Sequence, residues 1–186
     1  AESYKVCAAD AAGNSICKTP DGMKAPVSWV PDSFSPPVTA AGNGFRLAPL
    51  GPALMMQDYK AYMSSIAHLQ ATFSSGGWPN PGVTLEDAKA DMDWEHARFG
   101  KRETFSYAVL TPDGRRERGC IYVSAAKKKG YDAMVRMWVT KAEFDKGFEA
   151  ELYAEVQKWM KEAWPFAKVA YPGRSISMEE WKKLPE

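Results

Sequence analysis

Residues 133–172 read AMVRMWVTKAEFDKGFEAELYAEVQKWMKEAWPFAKVAYP, and three regular elements are legible in them. Ala133–Val139 is apolar except for Arg136, a run of the right length for a buried strand. Phe148, Leu152, Val156, Trp159, Met160 and Ala163 then recur at three- and four-residue spacing, which predicts an amphipathic helix closed near Pro165. Lys168–Tyr171 is a second short strand, ended by Pro172-Gly173. A helix between two strands gives the chain enough length to bring them back parallel in one sheet.

Upstream, Thr104–Leu110 and Glu117–Ser124 are strand-like and joined by TPDGRR, whose Pro112 and Gly114 suit a hairpin turn. With the strand that begins at Asp132 they make three consecutive strands on tight turns, which argues for antiparallel pairing. Phe45–Leu50 is a further strand, and Gly51-Pro52 opens a helix with the stripe Met55, Tyr59, Tyr62, Met63 and Ile66. The loop FSSGGWPNPG (73–82) ends it, serving as a lid over a substrate, with Trp78 as an apolar contact, or as a rigid connection. Thr84 caps the next helix, whose inward side reads Leu85, Ala88, Met92, His96 and Phe99. The fold class is therefore α/β with a mixed, mostly antiparallel central sheet, one parallel strand–helix–strand unit, and helices on both faces.

At 186 residues with a net charge of +1 and mixed charges, the chain suits one main domain with a small-molecule substrate rather than nucleic acid. No apolar run is long enough to span a membrane. HExxH, P-loop and Cys-x-x-Cys patterns are absent, so no metal site or NTPase site is expected.

Residues 1–43 form an extension rich in Pro and Ala, and 44–186 the domain proper. Within the extension, Cys7 and Cys17 flank a turn-like segment and either pair as a disulfide or stay reduced. The disulfide, with a chain that begins at Ala1, would place the protein in the periplasm or outside the cell; the cytoplasm is the alternative.

The element order, with FRLAPLGP, TFSYAVLTPDGRRERGCIYVS and MVRMWVT, resembles the GNAT acyltransferase superfamily between about Phe45 and Tyr171. The resemblance implies acetyl-CoA as cofactor and acyl transfer to an amine, with a non-enzymatic GNAT-like binding domain as the alternative. It implies Trp138, Val139 and Thr140 beside the pantetheine arm, and Lys146, Gly147 and Phe148 at the pyrophosphate, where free N–H groups of a helix start favour an anion. The family's signature here is Gln or Arg, two residues, Gly, one residue, then Gly or Ala. This chain has Phe144 and Glu149 at the first and last of those positions. After Tyr171 the family adds a further helix and two strands, so this sequence reads as a divergent, C-terminally shortened member. A homo-oligomer in which a partner supplies a sheet edge is a further alternative.

Tyr171 is expected as general acid and Glu95 as a base or as the partner of Arg136. Arg136, inside an apolar strand, and Arg174, in YPGR, are expected to hold an anionic substrate group, with Trp78 against the substrate. Cys120 is expected to be a small buried hydrophobe and His96 a core histidine.

Overall fold

The computed structural model describes residues 6–9, 15–18, 28–73 and 77–186. The chain divides into Ala1–Asp32 and Ser33–Glu186. In the first unit, β1 (Val6–Ala9) and β2 (Ser15–Lys18) form an antiparallel ribbon whose register sets Cys7 opposite Cys17. Their side chains, and the disulfide expected between them, lie outside the described residues. Among the described side chains Cys120 is a buried free thiol.

The second unit is built on one six-stranded sheet in the order β3-β4-β5-β6-β7-β8. Its strands are β3 (Ala40–Gly42), β4 (Phe45–Pro49), β5 (Thr104–Leu110), β6 (Glu117–Ala125), β7 (Ala133–Val139) and β8 (Val169–Ala170). Every pairing is antiparallel except β7 with β8, as the helix between those two strands requires. The helices are α1 (Met55–Met63), α2 (Ile66–Phe73), α3 (Leu85–Gly100), α4 (Lys141–Asp145), α5 (Phe148–Ala163) and α6 (Met178–Lys183). No helix among the described residues is long and apolar enough to cross a membrane.

Strand alternation sorts the side chains onto two faces. Ala108, Leu110, Cys120 and Trp138 pack with Ala61 and Tyr62 of α1, Leu69 of α2 and Met92 of α3. On the other face the Phe45 ring meets Phe148 of α5, and Tyr107 meets Trp159. On α3 the buried residues are Ala88, Met92 and Glu95, with Phe99 half-buried behind them. His96 and Leu85 are exposed, contrary to the sequence expectation, because the buried stripe turns through position 95 rather than 96. The helix keeps its predicted Thr84 cap, with Asp87 returning a bond to the Thr84 N–H.

The ladder between β5 and β6 is regular from Thr104↔Ser124 to Val109↔Gly119, then shifts so that Leu110 opposes Glu117. This β-bulge leaves Arg118 as the extra residue and puts Glu117 on the face of Leu110. Beside it, Gly119 lies so close to β7 that an added Cβ would collide with the Trp138 carbonyl oxygen. Gly119→Ala is therefore expected to cost about 2–4 kcal/mol in urea denaturation, because the obstacle is backbone that cannot swing away. A loss under about 0.5 kcal/mol would mean that the β6–β7 approach is looser than described.

Candidate functional site

β7 and β8 are paired through Ala133↔Val169 and Met134↔Ala170, and beyond that point no strand among the described residues pairs with β7 on this edge. Thr140 donates its N–H to the Arg118 carbonyl of β6. By the alternation of a strand's polar groups, Met137 and Val139 turn theirs the other way, toward the gap. A cavity of about 330 Å³ fills the gap, walled by Thr72 and Phe73 of α2, Arg136 and Met137 of β7, Glu149 of α5, and the turn that follows β8. A smaller cavity of about 190 Å³, lined by Phe73, Trp78, Tyr122 and Arg136, adjoins it.

Arg136 lines both cavities and is exposed, where the sequence suggests a buried cation. Its strand is apolar because the neighbours are buried, but its own position faces the opening beside α2. The guanidinium lies 5.7 Å from the Tyr122 ring centre, and Glu95 is not its partner. Trp78 packs on Tyr62, Phe73 and Trp138, so the aromatic wall is fixed from behind. Trp138 itself is fully buried and donates its indole N–H to the Tyr122 hydroxyl at 2.9 Å.

Arg174 crosses the gap. It meets Glu149 at 2.8 Å and donates to the Met137 carbonyl at 3.3 Å. Gly147, the N-cap of α5, is left-handed at φ +83°, and a Cβ there would meet nothing within 4 Å. Lys146 and Gly147 are exposed, but their N–H groups donate to the Glu143 and Phe144 carbonyls. Phe148 is buried beneath the Arg118 guanidinium. Val139 and Thr140 are buried, and the Thr140 hydroxyl caps α4. Tyr171 is turned toward α5, its ring against Tyr153, and burial followed by that neighbour pushes its hydroxyl up to about 12. The structure thus gathers Arg136, Arg174, Trp78 and the edge of β7 around one space, and sets Tyr171 and Glu95 elsewhere.

Sequence reasoning named Glu95 but missed the two acids that lie with it on the α1 face, Asp58 and Glu117. Asp58 of α1, Glu117 of β6 and Glu95 of α3 are all buried. Burial, outweighing the bond from Glu117, pushes Asp58 up to about 6, with the Glu95 charge adding to the rise. Burial and the Asp58 carboxylate push Glu117 well above the usual range. The two carboxyls bond each other, which requires a proton on one of them, and among the described residues no other donor reaches the Glu117 oxygens. Asp58 lies one residue before Tyr59 in the apolar stripe of α1, and Glu95 in that of α3. Acids at core positions of two helices were the available signal. The neighbouring Glu143 behaves in the opposite way: burial alone would raise it, but bonds from Arg118 and Arg116 hold it below the ordinary value.

No protein-family profile matches the chain, and no curated protein sequence matches it. Among solved structures, the ribosomal-protein-S5-alanine acetyltransferase of Vibrio fischeri superposes with a TM-score of 0.53 at 13% identity, over 68% of this chain and 69% of that one. The fold is GNAT-like. A GNAT-family acetyltransferase assignment from Bordetella pertussis gives a TM-score of 0.46 at 15% identity, over 67% of this chain and 72% of that one. The sheet order, the single parallel pair and the helices on both faces are those of the GNAT fold.

The buried acids give a pH signature. A carboxyl whose folded pKa is raised stabilises the fold below its unfolded pKa, near 4, and that contribution is lost as pH rises through about 6. Asp58→Asn is expected to stabilise the protein by about 1–3 kcal/mol at pH 8 and by little at pH 4. Urea denaturation at the two pH values checks this; equal changes at both would show that Asp58 is ionised throughout.

Proposed function

We propose that the chain is an N-acyltransferase of the GNAT type acting on a small molecule, with its acyl donor, an acyl-CoA such as acetyl-CoA, along the open edge of β7. The observation that carries this reading is the separation of β7 from β8 after two residue pairs, with a cavity between them. An unpaired strand edge can take up amide groups of an extended ligand.

The residues present fit such a donor. The left-handed Gly147 leaves open space beside the start of α5, and Lys146 adds a positive charge there. The first N–H groups of α5 have no acceptor within the helix and favour an anion. Glu149 stands against this, but Arg174 pairs with it and neutralises the acid. Lys146 and the start of α5 would hold the pyrophosphate, and the backbone of Met137 and Val139 the pantetheine arm. When bound, an acyl-CoA supplies an acyl group activated as a thioester. On the chain's side, Arg136 attracts an anionic group of the acceptor, and Phe73, Trp78 and Tyr122 exclude water around it. Tyr171 keeps its proton at neutral pH.

A second reading, a GNAT-like binding domain without coenzyme, is favoured by one observation: Arg174 already occupies the Met137 carbonyl. Thermal denaturation with and without millimolar acetyl-CoA separates the two. The first reading expects a rise in apparent stability, about 2.7 kcal/mol at a hundredfold excess over the dissociation constant, reduced in Lys146→Ala. No rise in the wild type, with a rise in Arg174→Ala, would establish the second.

A further inference from the structure

Two cavities meet at the strand gap, and Arg136 and Phe73 line both. The larger, of about 330 Å³, counts Arg136, Glu149 and Arg174 among its walls. The smaller, of about 190 Å³, is lined by three aromatic residues, Phe73, Trp78 and Tyr122, and by Arg136. A third cavity, of about 310 Å³ beside α1, shares no lining residue with either.

The charges at the gap are not equally engaged. Arg174 and Glu149 meet at 2.8 Å and neutralise each other. Arg136 enters no ion pair among the described residues, and its guanidinium stands 5.7 Å from the Tyr122 ring centre. The charge left over where the two cavities meet is therefore positive, and a planar guanidinium offers paired donors that match a carboxylate. The rings beside it are held from behind. Trp138 donates its indole N–H to the Tyr122 hydroxyl at 2.9 Å. Trp78 lies 5.7 Å from Phe73 and 5.9 Å from Trp138, centre to centre. Walls fixed in this way take up an apolar group without first being ordered.

Three demands on the acceptor meet here. Acyl transfer requires an amine in the larger cavity, Arg136 requires an anion at the junction, and the rings of the smaller cavity require an apolar group. The α-carbon of an amino acid carries all three on one atom. We propose that the two cavities bind an α-amino acid with a large apolar side chain, such as phenylalanine, as the acceptor. Its carboxylate lies on Arg136, its side chain against Phe73, Trp78 and Tyr122, and its amine faces the gap. In transfer the α-nitrogen gains the acyl carbon, the carbon–sulfur bond of the thioester breaks, and one proton of the neutral amine leaves with the thiol. The positive charge of Arg136 disfavours polyamines and other cationic acceptors. The role as acceptor rests on the acyl-transfer reading, whereas recognition of the acid rests on the two cavities alone.

Isothermal titration calorimetry on the full chain, without coenzyme, tests this with three compounds that share an acetylamide. They are N-acetyl-L-phenylalanine, its carboxamide, which lacks the negative charge, and N-acetylglycine, which lacks the ring. The first is expected to bind at least about tenfold more tightly than either of the others. Arg136 is exposed, so Arg136→Gln leaves the fold standing, and in this variant the preference for the acid over the carboxamide should disappear. No binding of N-acetyl-L-phenylalanine to the wild type, equal binding of the carboxamide or of N-acetylglycine, or a preference that survives in Arg136→Gln would overturn the proposal. The two readings fail separately. A protein that prefers the acid but is not stabilised by acetyl-CoA keeps this site and loses the transfer. One that is stabilised by acetyl-CoA and ignores the carboxylate keeps the transfer and loses this acceptor.

Discussion

One extra residue in β6 sets the charges of this domain. The bulge at Val109/Leu110 lets two consecutive and opposite charges, Glu117 and Arg118, leave the sheet on opposite faces. Glu117 goes to the α1 side, where its carboxyl meets that of Asp58 and is pushed well above the usual range. Arg118 goes to the α5 side, where it lies over Phe148, bonds the Gly44 carbonyl and holds Glu143. Through those three contacts one guanidinium ties the β3–β4 turn, α4 and the start of α5 to the central hairpin. Without the shift, Glu117 would fall on the Phe148 side and lose its place beside α1.

The two faces that follow from this are electrostatically different. On the α5 side, Glu143 has two arginines, and its charge is welcome. On the α1 side, three acids lie among Leu, Met and Tyr, and among the described residues no guanidinium or ammonium reaches Glu117. Within a few residues of sequence the domain thus meets one buried acid with two arginines and another with a second carboxyl.

Much of the sheet was legible because each strand combines an apolar run with a clear turn signal. The hairpin around Pro112 and Gly114 and the strand–helix–strand unit at 133–172 are cases in point. β3 was not legible, since Ala40–Gly42 is three small residues with no alternation and is a strand only because β4 pairs with it. α4 is five residues long and depends on the Thr140 cap rather than on periodicity. The strand gap and Gly147 could be placed from the family pattern, whereas Arg174 reaching Glu149 across it could not, because the two are 25 positions apart in sequence. The bulge was hidden for a similar reason: ERGCIYVS reads as an unbroken strand, and only the partner strand reveals the extra residue.

The strand gap and the cavity beside α1 sit on one scaffold without a lining residue in common. Substitutions at one therefore leave the chemistry of the other untouched, as independent sites usually do. Phe144 and Glu149 line none of the cavity beside α1, so the loop that carries them can drift without altering that cavity's walls.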